Sequence, residues 1–168
     1  MPPSIHRPAF IGALLLLFVM AAPAAAQSTR EISFGYSYLE LDDDDAQVGW
    51  QAAYAREITP VMRWVADFGG HYAGEATIHT FQGGLRFGLS RTEPFVPFVN
   101  VLMGGAYGAR DDNGESRLSF AAQFGVGMDF VFRPDGPGVR TQLDFPVFFV
   151  RDEAKVNPRV VVGFVIPF

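Results

Sequence analysis

Beyond residue 27 the apolar positions recur at every second residue, in runs broken by turn-forming residues; this is the signature of β-strands. Eight such runs are predicted, at 30–41, 47–57, 61–72, 77–89, 95–107, 118–132, 139–150 and 158–168. In the third, Met62, Trp64, Ala66 and Phe68 share one face while Arg63 and Asp67 take the other. The fourth sets Phe81, Leu85, Phe87 and Leu89 against Gln82, Gly84, Arg86 and Gly88. The sixth sets Phe120, Phe124, Val126 and Phe130 against Gln123, Gly125, Gly127 and Asp129. The first (Ile32, Phe34, Tyr36, Tyr38) and last (Val160, Val162, Phe164, Ile166, Phe168) behave alike. No run reaches the 18 or so apolar residues that a membrane helix requires.

The connections predict two ends. Glu57–Pro60, Ser90–Pro94 and Arg133–Gly138 read as tight turns. Asp42–Ala46, Ala73–Ala76, Gly108–Arg117 and Arg151–Asn157 read as longer, more acidic loops. Runs of 11–13 residues exceed the ~5–6 typical of soluble sheets and suit a tilted strand crossing a bilayer. Pro97, Pro146 and Pro167 interrupt the pattern, because proline cannot donate to a ladder. Pro97 is expected near a rim, and Pro146, in mid-strand, predicts a bulge.

The N-terminus reads differently. His6 and Arg7 precede an apolar stretch from Phe10 to about Ala22, followed by Ala24-Ala25-Ala26 before Gln27. These are the parts of a cleavable signal peptide, so residues 1–26 are expected to be removed and residues 27–168 to form one barrel domain. Cysteine is absent, which excludes a disulfide scaffold. A closed sheet is another way for so short a chain to hold together.

Alternation alone does not say whether the apolar face looks inward or out to lipid, and a secreted soluble barrel of the lipocalin kind would share it. Three features favour lipid. Glycine falls mostly with the polar residues, where a narrow lumen needs room for long side chains. The polar face carries four acids, Glu31, Asp67, Asp129 and Asp144, and four arginines, Arg63, Arg86, Arg140 and Arg159. Equal and opposite charge suits an enclosed interior, and arginine pairs with carboxylates in a bidentate manner. Finally, Tyr36, Tyr38, Trp50, Tyr54, Trp64, Tyr72 and Tyr107 lie near run ends or on the apolar face, as interfacial girdles require.

The stretch Phe120-Ala-Ala-Gln-Phe-Gly-Val-Gly-Met-Asp129, with Gln142-Leu-Asp144 and Val160-Val-Val-Gly-Phe-Val-Ile-Pro-Phe168, resembles the small outer-membrane β-barrel proteins related to the OmpA/OmpX-type eight-stranded barrels. The resemblance implies an all-β, eight-stranded antiparallel up-and-down transmembrane barrel in the bacterial outer membrane. It also implies that the terminal aromatic Phe168 is read by the outer-membrane assembly machinery.

A lipid A deacylase would need a serine beside a histidine; His71 and His79 stand in no His-x-Ser arrangement, and both are expected near the outer rim, His71 on the polar face and His79 on the apolar one. Asp42–Asp45 and Asp111-Asp112-Asn113-Gly114-Glu115 could attract a divalent cation, but the second lacks EF-hand spacing, and no metal or cofactor site is assigned. An acidic chain (formal charge −5) whose single lysine is Lys155 argues against nucleic acid as a partner. The reading is therefore a non-enzymatic, monomeric barrel with outer-membrane lipids, periplasmic chaperones and the assembly machinery as partners. Its loops interact with the surroundings, and its lumen is plugged by the eight charged residues with Gln82, Asn100, Gln123 and Gln142. A small channel and a lipid A-modifying enzyme are the alternatives.

Overall fold

The computed structural model describes residues 30–40, 46–74, 76–88, 94–110, 115–133, 135–150 and 153–168. The expected cleavage site before Gln27, Leu89 and the acidic stretches 42–45 and 111–114 lie outside the described residues. The described chain forms strands β1 (Arg30–Glu40), β2 (Ala46–Thr59), β3 (Met62–Ala73), β4 (Ala76–Gly88), β5 (Phe95–Arg110), β6 (Glu115–Val131), β7 (Gly138–Val150), β8 (Glu153–Val156) and β9 (Arg159–Pro167). Each pairs antiparallel with its neighbours, β6 with β7 and β9 with both β7 and β1, so the sheet closes on itself. β8 and β9 follow one another along the same wall, and the barrel has the eight walls that the pattern predicts.

The split in the eighth wall follows from proline. Asp144 faces Arg159 and Val147 faces Val156, so the register is the same on both sides of the break. Between them the Asn157 N–H donates to the Pro146 carbonyl at 2.9 Å, and Pro146 has no N–H to return the bond. The predicted bulge at Pro146 is therefore absent: β7 runs through the proline in register with β6, and the partner strand is interrupted instead. Bonds to β1 hold the interrupted wall: the Glu40 N–H donates to the Pro158 carbonyl at 2.9 Å, and Asn157 Nδ2 donates to the Glu40 carbonyl at 3.2 Å. The register shift is in β2, between Glu57 and Thr59.

The two ends also differ from expectation. Arg30 and Phe168 share the lower end with connections 60–61, 89–94 and 132–137; the upper end has 41–45, 74–75, 111–114 and 151–152. The upper connections are not the longer ones. Ala73 faces Ala76 in the ladder, Gly74 after it takes φ +55°, and residues expected in loops extend β5, β6 and β8 instead. β5 and β6 reach 16 and 17 residues, beyond the ~9–11 that span a bilayer, and their hairpin extends the upper end.

The faces fall as the alternation predicts. Phe34, Phe124 and Phe164 are 61 %, 50 % and 62 % exposed on the outside, while the polar partners between them are buried. An apolar outer surface continuous around every wall far exceeds the few hundred Å² that water-soluble monomers tolerate. Closure matters for the same reason: a lipid-facing sheet has no water for unpaired edge groups, and a closed ladder leaves no edge. Aromatic rings gather near both ends of this surface. Tyr54 packs against Trp64 and Phe168 below (6.3 and 6.5 Å between centroids). Above, Tyr72 packs against His79 (5.8 Å), and Trp50 Nε1 donates to the Tyr72 hydroxyl (3.3 Å). Trp50 also lies over Gly70 and Phe81 over Gly105, each directly opposite in the ladder, so a ring covers backbone that glycine leaves bare.

Candidate functional site in the barrel interior

Inward positions of successive strands place the polar residues in three tiers. In the lowest, Glu31 of β1 accepts from Arg86 Nη1 at 2.5 Å and from Arg140 Nη2 at 2.8 Å. Arg140 also donates from Nε and Nη2 to the two oxygens of Asp129 (2.7 and 2.8 Å), a bidentate clasp between directly opposed residues of β6 and β7. Its Nη1 reaches Ser33 Oγ at 3.2 Å. Arg86 Nε donates to Asn100 Oδ1 at 2.8 Å. Phe98 turns inward between the two arginines, its centroid 4.5 Å from the Arg86 guanidinium carbon and 4.8 Å from that of Arg140. Arginine over an aromatic face gains about 0.5–2 kcal/mol, with the larger values where water is excluded.

The middle tier centres on Asp144. It accepts from Arg159 Nε and Nη2 (3.0 and 2.7 Å) and from Gln142 Nε2 (2.8 and 2.7 Å). Arg159 Nη2 lies 3.5 Å from Asp67, which accepts from Gln51 Nε2. Gly125 stands opposite Asp144 in the ladder, and a Cβ there would occupy the position of Asp144 Oδ1. Glycine is the residue that leaves this carboxylate its place.

In the upper tier Ser37 Oγ and His71 Nε2 are 2.8 Å apart, both wholly buried. Above them Leu39, Ala106, Ala121 and Phe148 form an apolar cluster inside the barrel, with Ile78 against it.

All eight charged residues singled out from the sequence are buried on the inward face. Seven are joined in ion pairs: Glu31, Arg86, Arg140 and Asp129 in the lowest tier, Asp144, Arg159 and Asp67 in the middle. Arg63 stands apart; among the described residues no carboxylate lies within ion-pair distance of it. Gln82, Asn100, Gln123 and Gln142 are also inward and buried. Phe168, outside the barrel at its lower end, is 51 % exposed and its N–H donates to the Arg30 carbonyl at 2.9 Å.

Three features escaped the sequence. Phe98 follows Pro97 and reads as part of an apolar run, yet its parity with Asn100 placed it inside. The apolar cluster was equally visible from the parity of Leu39 with Glu31 and of Phe148 with Asp144. The Ser37–His71 pair joins residues 34 apart in sequence, and no local spacing signals it. That pair lacks the parts of a catalytic dyad. The serine is fully enclosed, and among the described residues His71 Nδ1 has no hydrogen-bond partner to orient the ring. His79 lies half-buried on the outer wall near the upper end, on the apolar face where its parity put it. Among the described residues no three metal-ligating side chains converge.

No family model and no curated protein matches the sequence. Solved structures do match the fold. Neisserial surface protein A superposes with a TM-score of 0.68 at 9 % identity, covering 87 % of this chain and 100 % of that one. Ail, the attachment invasion locus protein of Yersinia pestis, gives 0.56 at 15 % identity, covering 85 % and 100 %. A designed transmembrane β-barrel gives 0.55 at 12 %, covering 86 % and 100 %. This is the transmembrane β-barrel fold. At such low identity the likeness is one of architecture, and it agrees with the apolar outer wall and polar interior described above.

Proposed function

We propose that the protein is an integral barrel of the bacterial outer membrane, non-enzymatic, acting through surface interactions at its upper end while its lumen stays closed. The observation that supports this reading most directly is the filling of the interior. Eight strands enclose only enough space for side chains. Here two tiers of ion-paired arginines and carboxylates lie beneath an apolar cap of Leu39, Ala106, Ala121 and Phe148. The upper end is taken as extracellular and the end bearing Arg30 and Phe168 as periplasmic, and the long β5–β6 hairpin is then the element best placed for contact outside the cell. Phe168 serves in this reading as the signal to the outer-membrane assembly machinery, reached with the help of periplasmic chaperones, and the folded barrel is a monomer surrounded by lipid.

Two measurements on the purified protein test it together. An unheated sample should migrate apart from a boiled one in electrophoresis, as a closed barrel does. In a planar bilayer the same sample should give no stable conductance of porin size. A steady open current from the unmodified protein would reject the closed lumen and put the channel reading in its place.

A further inference from the structure

We propose that the lower mouth of the barrel binds a small inorganic oxyanion, phosphate or sulfate, between Arg63 and Arg86. Arg63 and Arg86 are directly opposed in the β3–β4 ladder, and both point inward. Opposed residues have Cβ atoms about 5 Å apart, and like charges so placed repel. Arg86 is 1 % exposed, spends Nε on Asn100 and Nη1 on Glu31, and among the described residues has no hydrogen-bond partner for Nη2. Arg63 is 7 % exposed and has no carboxylate partner among the described residues. The other charged groups facing this tier are already committed. Glu31 is shared by Arg86 and Arg140, and Asp129 is clasped by Arg140. Glu57, the cross-strand neighbour of Arg63 on β2, sits half-exposed at the register shift and forms no ion pair with it. Among the described residues the tier thus holds three arginines against two engaged carboxylates. An unpaired guanidinium in a buried site is costly. A tetrahedral oxyanion offers acceptors to both forks at once, and guanidinium binds such oxygens in a bidentate manner. Arg63 is the second residue after the 60–61 turn, so the site lies one step inside the mouth. The inference is independent of what the upper end contacts.

The test uses the folded protein in alkyl maltoside micelles. The temperature at which the unheated electrophoretic form is lost is followed against inorganic phosphate, with chloride holding ionic strength constant. The site predicts a saturable rise, roughly 5–10 °C at one hundred times the dissociation constant. Arg63→Met should abolish the response and raise the phosphate-free midpoint, since the uncompensated charge is gone. Arg56→Met, on the outer wall, should leave the response intact. If Arg63→Met does not fold, Arg63→Lys supplies the second variant: it keeps the charge, loses the fork, and should need several-fold more phosphate for half-saturation. No saturable rise in the unmodified protein, or an unchanged response in Arg63→Met or Arg63→Lys, would overturn the proposal. So would a rise that appears in phosphatidylglycerol vesicles without phosphate but not in micelles with it, because the ligand would then be a lipid headgroup.

Discussion

Glu31→Gln removes the charge that holds the lowest tier together, and the geometry of the tier fixes where the loss falls. Glu31 is 3 % exposed and accepts from two arginines, Arg86 at 2.5 Å and Arg140 at 2.8 Å. After the change Arg140 keeps its two bonds to Asp129 and remains compensated. Arg86 keeps only the neutral Asn100 oxygen and the ring of Phe98, and becomes a buried cation without a counter-charge. Breaking one side of a buried pair costs about 3–5 kcal/mol. Set against an exposed carboxylate such as Glu40, where substitution is worth about 0–1 kcal/mol, the difference is at least roughly 2 kcal/mol. Urea-dependent unfolding in lipid vesicles, read by loss of the unheated electrophoretic form, measures both variants on one scale. If Glu31→Gln and Glu40→Gln fall within about 0.5 kcal/mol of each other, the lowest tier does not stabilise the barrel and the reasoning fails.

Asp144→Asn should be similarly severe, about 3–5 kcal/mol in the same assay, since Arg159 would retain only Asp67 at 3.5 Å. Phe124→Arg, on the outer wall near the middle of β6, should cost about 2–4 kcal/mol, whereas Phe132→Arg, just past the end of that strand, should cost about 0–1; equal costs would mean that the outer wall does not face lipid. Gly127→Val places a side chain where the Phe98 ring lies, directly opposite, and should destabilise by about 1–3 kcal/mol through displacement of that ring from the two arginines; a neutral result would show that the stacking contributes little.

Period-two alternation, legible residue by residue, determined eight walls and which side chain of each faces outward. The reason is geometric: successive side chains on a strand point to opposite faces, so parity transmits the sequence into the fold without error as long as no strand slips. Parity also placed Glu31, Asp67, Asp129, Asp144 and the four arginines inside before any contact was known. It equally places Leu39, Phe98 and Phe148 there, apolar residues that share the parity of the charged ones. Partner choice was a different matter. Glu31 meets arginines 55 and 109 residues away, Ser37 meets His71, and Arg63 meets no carboxylate among the described residues, because inward side chains pair across the lumen according to strand tilt and closure, which no local window contains. The ends, too, belonged to tertiary structure. Gly108–Arg117 and Arg151–Asn157 look like loops by composition, yet a neighbouring strand offers hydrogen bonds that extend β5, β6 and β8 into them. Pro146 shows the same division: its missing donor was plain from the sequence, but only the closed ladder decided that the gap would open in the partner strand, at Asn157 and Pro158, rather than as a bulge in its own.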